Sequence, residues 1–323
     1  MNKKPIGKIV KNTINSNYFA LIAVFVVMCA VFGTLKPTFL SPRNMLNILT
    51  SGSLVGLIAI AESYLIISGM IDLSVGGVAA FSGVFAAVLA QNGWNLPFIL
   101  ITTLVVGALF GLINGLLVTK IKLQPFIATL ATMSIARGLG YIICDVKPVR
   151  IAMASFNAIG TTKVFNVSLP VIILLVLFVV FYIVLAKTTF GRKVYMIGGN
   201  ANASRLAGIN VDMVKIKLFV ISAVLSALGG IILAARMTSG QPAAAASVDF
   251  DAITAVVLGG IAMTGGTGTL IGTFIGLMVL LTLNNGLLIL GVTTYWQNVA
   301  KGLVLVFALA LDYYRTMRKE KLK

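Results

Sequence analysis

The 323-residue chain has no histidine, two cysteines, and only eight acidic residues against 25 lysines and arginines. Without histidine it lacks the commonest metal ligand and the side chain best suited to general-base work near neutral pH. Ser-His-Asp and Cys-His arrangements are therefore excluded, and no metal-ligating cluster of other residues is evident in the sequence. Cys29 and Cys144 lie in or beside apolar runs, show no CxxC spacing, and read as small core residues. Charge is scarce as well: 10% of residues are charged, where soluble domains carry about 25%. In its place, 59% of residues are apolar and the mean hydropathy is +1.05. This is the composition of an integral membrane protein. The net charge of +17 does not point to nucleic acid, because the basic residues lie at the chain ends and in a few connections.

A bilayer core takes roughly 20 apolar residues per helical span, and only helices or closed barrels satisfy their own backbone there. The apolar runs are too long for barrel strands. They predict an all-α integral membrane protein with about ten transmembrane helices, near 18–34, 46–69, 73–91, 96–118, 125–143, 167–186, 217–236, 251–264, 267–289 and 295–313. The eighth run is short and glycine-rich, which suits a broken or half-inserted helix shielded by its neighbours. The first follows Lys3, Lys4, Lys8 and Lys11 in the manner of a signal peptide, but it is long for one and lacks a small-x-small cleavage site, so it reads as an uncleaved span. With both termini cytoplasmic, the outer side keeps only Lys36, Arg43, Lys147, Arg150, Lys163 and Arg236. That is the expected bias of positive charge toward the inside.

Two connections separate the spans into groups, an outer one at about 145–166 and an inner one at about 187–216. The halves are weakly similar: GALFGLINGLLV (Gly107–Val118) and GTFIGLMVLLTLNNGLLIL (Gly272–Leu290) share GxxxG spacing and an Asn-Gly-Leu-Leu ending. Duplication, as in many transporters, is one reading; independent small-residue helix packing is the other.

Charges inside a membrane are costly and mark functional candidates. In AESYLIISGMIDLSVGG (Ala61–Gly77), Glu62 lies within a span and Asp72 at the junction with the next. Asp72 or Ser74 can cap the new helix, and Gly69, Gly76 and Gly77 mark a tight turn. Glu62 is roughly two turns from the junction, too far to cap it. Arg137 sits about 12 residues into its span, near mid-bilayer. It is expected to be held by Glu62 or Asp72, either beside a translocation path or as a packing ion pair. Farther on, TGGTG tempts a phosphate-loop reading, but no GK[ST] follows anywhere in the chain, so there is no Walker A motif. The glycines instead suit a short helix, a turn and a further helix in close approach. Asp249 and Asp251 fall at the outer boundary, in reach of a helix cap or a partner.

One polar island interrupts the apolar chain: IGGNANASRLAGINV, Ile197–Val211, within the inner connection. Asn200 or Asn202 suits an N-cap, Ala203 to Ala207 form a short helix, and Gly208 suits the left-handed position that ends one. Leu206 and Ile209 give it an apolar side. A helix this short is marginal alone and needs a surface to dock on. A lipid anchor would favour bulkier apolar residues, so a protein partner is the better fit.

Over nearly its whole length the chain resembles the permease subunits of bacterial ABC importers for ribose, galactose and related monosaccharides. The resemblance is carried by PTFLSPRNMLNIL, SGMIDLSVGG, QPFIATLATMSIARGL, FGRKVYMIGGNANASRLAGINV, DFDAITAVVLGGIAMTGGTGTLIGTFIG and NNGLLILGVTTYWQNVAKGLVLVFALALD. It implies a single permease domain, residues 1–323, of type II importer architecture in the bacterial inner membrane. Two copies would form the path beneath an extracytoplasmic sugar-binding protein and above ATPase subunits that bind ATP and magnesium, with no cofactor on this chain. It also implies that Gly199, Asn200, Ala203, Leu206, Gly208 and Asn210, with Arg205, form the element that docks into the ATPase. Ala61, Glu62 and Met70 depart from the family pattern near the presumed path. An ion-coupled secondary transporter using Glu62, Asp72 and Arg137 is the rival reading.

Overall fold

The computed structural model describes residues 18–320. The N-terminal Lys3, Lys4, Lys8 and Lys11, and Lys321 and Lys323 at the other end, lie outside the described residues. The chain opens with α1 (Phe19–Leu35), a 3₁₀ turn (Pro37–Leu40), α2 (Pro42–Ser51) and α3 (Ser53–Ile67). It continues through α4 (Val75–Gln91), α5 (Leu96–Thr119) and α6 (Pro125–Ile143). Next come β1 (Val149–Arg150), α7 (Ala154–Thr161), β2 (Lys163–Val164), β3 (Val167–Ser168) and α8 (Leu169–Lys187). Two short helices follow, α9 (Thr189–Gly199) and α10 (Ala201–Leu206), then α11 (Val211–Met237), β4 (Ser239–Gly240), α12 (Val248–Leu258), α13 (Leu270–Ile289) and α14 (Thr294–Glu320).

Each apolar run becomes a helix, but not each is by itself long and apolar enough to meet the length of a bilayer core. Among the described residues five helices, α5, α6, α8, α11 and α13, are long and apolar enough to cross a membrane, and a sixth span results if the bent pair α2–α3 counts as one. The run at 46–69 breaks at Gly52, where the two helices meet at 50°. A Cβ on Gly52 would strike the Leu281 side chain of α13. The glycine-rich run at 251–264 yields only the 11-residue α12, and α1 and α4 have 17 residues each.

Packing explains why. Most of α11 is buried, whereas α5, α6 and α8 are largely exposed; it is the central post, packed against α5, α4 and α3. Small residues let it approach closely: Gly111 and Gly115 of α5 face the α11 backbone at Phe219 and Ile216, and Gly230 of α11 faces that of Ala79. In the second glycine stripe, Gly272 and Gly276 of α13 lie against the α12 backbone at Gly259 and Ala255. Both GxxxG segments thus serve close helix packing. All of α3 is buried, so the helix carrying Glu62 lies inside the bundle.

The two ends of the bundle differ. At the N-terminal end of α3, Thr50 shares a hydrogen bond of 2.7 Å with Ser168, and Arg236 donates to Ser51 at 3.4 Å. Two small antiparallel ladders lie in the connections there: β1 with β4, and the β2–β3 hairpin. The hairpin turns through Phe165 and Asn166, both at positive φ, the type I′ geometry of a two-residue loop. The α9–α10 connection meets the opposite end of α3, about 22 Å away along a 15-residue helix.

Candidate functional site

The polar island folds as a compact joint. Asn200 is the N-cap of α10, its Oδ1 accepting from Ala203 N at 2.9 Å. At the other end Gly208 N donates to Arg205 O and Ile209 N to Ser204 O, each at 3.0 Å, with Gly208 at φ +82°. This crossed pair closing over a left-handed glycine is a Schellman ending. Two residues on, Asn210 caps α11 by accepting from Met213 N at 3.0 Å. The joint is braced by Arg205, whose guanidinium pairs with Asp212 at 2.8 Å. Ser204, turned inward, donates to Asn200 O. Outward stand Asn202, Ala203, Leu206 and Ala207, with Leu206 91% exposed. Ile209 does not share that face: it packs against the core. The apolar side expected of the pair is therefore a single exposed knob flanked by alanines.

Asp72 lies in the irregular segment between α3 and α4 and is fully buried. Its Oδ1 accepts from Ser74 N at 2.9 Å and Ser74 Oγ at 2.5 Å, and its Oδ2 from Ser222 Oγ of α11 at 2.8 Å. Asn114 Nδ2 of α5 donates to Ser74 Oγ at 2.9 Å, and Leu73 N donates to Thr129 Oγ1 of α6. The expected cap is thus an Asx-type turn whose carboxylate also ties α11 and, through Ser74, α5. Irregular backbone at membrane depth is tolerated where protein encloses it in this way.

Glu62 is also wholly buried, and neither of its oxygens meets a donor in good hydrogen-bond geometry, although the Asp72 backbone N–H lies within interaction range. It lies within electrostatic reach of Asp72 and Asp249. Arg137 does not answer it. The expected pairing with Glu62 or Asp72 is absent; the Arg137 guanidinium instead reaches Ala245 O at 3.5 Å, in the electrostatic range of Asp249. The reason is packing: Gly76 of α4 leaves room for Arg137, Ala245 and Asp249 to converge on it, while neutral donors already saturate Asp72. Asp251 pairs with Lys301 of α14 at 2.8 Å, joining α12 to the last helix.

A family model for permease components, described as branched-chain amino acid transport system / permease component, matches residues 44–309. The chain belongs to that family. Among similar proteins, the ribose import permease protein of Bacillus subtilis (strain 168) is 42% identical over 288 residues, 88% of this chain and 89% of the relative. The ribose import permease protein of Haemophilus influenzae is 38% identical over 91% of this chain and 92% of its own. An L-arabinose ABC transporter permease protein of Azospirillum brasilense is 34% identical over 95% and 91%. No solved structure matches the chain.

In this permease, the sequence motifs missed where the island meets the bundle. Gly199, singled out from sequence, would have open space around a Cβ. Its neighbour Gly198 is the constrained one: a Cβ there would fall on the Ile67 carbonyl oxygen. Tyr195 of α9 donates to Gly268 O at 2.8 Å. Burial, and Tyr18 nearby, push its phenol above the usual range, so at neutral pH it keeps the proton it donates. The signal available was the adjacency of two glycines, with nothing to say which one faced a neighbour.

Proposed function

We propose that this chain is the transmembrane permease subunit of an ABC importer that moves a monosaccharide of the ribose or arabinose kind into the cytoplasm. The observation that carries this is the joint at 199–210: a short helix capped at both ends, with Leu206 exposed on a face of small residues. Such a helix gains its stability from a docking surface. The names of the relatives supply the class of solute. On this reading the chain is one permease domain of about ten spans in the bacterial inner membrane, with both termini cytoplasmic. Two copies surround the path. Separate ATPase subunits hold ATP and magnesium and receive the 187–216 connection; an extracytoplasmic binding protein delivers the sugar at the other end. The chain itself performs no catalysis and holds no cofactor.

Glu62, Asp72, Arg137 and Asp251 then position helices around the path, since an uncharged sugar needs no fixed countercharge. The buried Glu62 carboxyl favours a second reading, an ion-coupled secondary transporter. Proteoliposomes separate the two. With its ATPase and binding protein the permease should take up D-ribose or L-arabinose only with internal ATP; uptake by the isolated chain under an ion gradient would replace the importer reading.

A further inference from the structure

Two interrupted segments, 68–74 after α3 and 259–269 between α12 and α13, meet at the end of the bundle nearest α9. Gly266 N donates to Ile67 O at 2.7 Å. A Cβ on Gly265 would lie 3.1 Å from Gly69 N and 3.0 Å from Gly198 O, and one on Gly266 would lie 3.0 Å from Gly199 Cα. Three backbones therefore cross with no side chain between them: the end of α9, the end of α3 and the glycine loop before α13. Tyr195 adds the hydrogen bond to Gly268 O, and Tyr18 shares one of 2.5 Å with Thr269. Backbone packed on backbone has no rotamer freedom to absorb a displacement, so a push on α9 is passed on rather than dissipated.

We propose that Gly198 and Tyr195 are coupling residues, the point where displacement of α9–α10 by the ATPase enters the membrane domain and moves segments 68–74 and 259–269 together. Neither residue docks on the ATPase in this scheme; both act as positioning residues behind the docking helix. The destination matters, because segment 68–74 carries Asp72, which is bonded to Ser222 of α11. Since α11 begins at the capping Asn210, the joint grips the same polar junction twice, through α9 from one side and through α11 from the other.

The inference rests on the ATPase-driven reading, so its test is independent of which solute moves. In the assembled complex with its ATPase, hydrogen exchange is measured with and without ATP and vanadate. The wild type should change protection in α10 and in both 68–74 and 259–269. Tyr195→Phe, which removes one hydrogen bond and no packing, should keep the α10 response and weaken that of the two segments about fivefold, the weight of one net hydrogen bond. Gly198→Ala, whose Cβ has no room, should abolish it with the ATPase still bound. A wild type with no response in 68–74 and 259–269, or a Tyr195→Phe variant with a full one, overturns the proposal. Failure of the wild type to import D-ribose or L-arabinose counts against the sugar assignment alone.

Discussion

Asp72 and Glu62, ten positions apart in the chain, are both wholly buried and have opposite surroundings. Asp72 accepts three hydrogen bonds, so its replacements should differ sharply. Asp72→Ala leaves a backbone N–H and two hydroxyls without their acceptor and should cost on the order of 3 kcal/mol. Asp72→Asn keeps an acceptor toward Ser74 and offers a donor toward Ser222, and should stay within about 1 kcal/mol of wild type; thermal melting in detergent reads both. At Gly208 the demand is conformational, since a Cβ has open space but the backbone is left-handed at φ +82°. Gly208→Val should strain the joint by roughly 1–3 kcal/mol and uncouple ATP hydrolysis from uptake while membrane insertion stays normal. Asp72 as a local turn-maker was legible from its place between two apolar runs. That Arg137 would bypass both acids was not, because nothing in the sequence says that Gly76 clears a space for it beside Ala245 and Asp249.

At the scale of the element, α10 shows what helix-end chemistry can and cannot foretell. Asn200 and Gly208 announced its two ends, and the structure places caps at both. Which apolar residue faced outward was hidden, since Leu206 and Ile209 straddle the reversal of direction that the Schellman ending creates. Leu206→Asp should therefore leave the fold intact and lower co-purification of the ATPase at least tenfold, as expected of an exposed apolar anchor at the centre of a small interface. The helices α12 and α3 carry the complementary lesson. Composition predicted apolar helices at both places, but the break at Gly52 and the end of α12 at Leu258 depend on neighbours, Leu281 in one case and the Gly272 backbone in the other. Length of an apolar run reports solvent preference; where the helix stops is a tertiary decision.

For the whole molecule, the reading of a helical membrane protein followed from scarce charge, a high apolar fraction and the length of the apolar runs, and family membership followed from motifs spread along nearly the whole chain. The transmission contacts were invisible because they are made by glycine and backbone, which have no side-chain pattern to read. The joint at 206–211 carries one more consequence. Surface connections ordinarily tolerate insertions, but here one helix ends and the next is capped within four residues, 207–210. One residue added inside α10 would turn Leu206 by about 100° and point it away from whatever it engages. An insertion scan scored by growth on the transported sugar should thus find no growth for insertions at 200–210, while insertions at the exposed β2–β3 turn, 165–166, are tolerated. In this permease the loop is gauged by length, like the tooth of a gear, and a single extra residue should disable it as surely as the loss of Leu206.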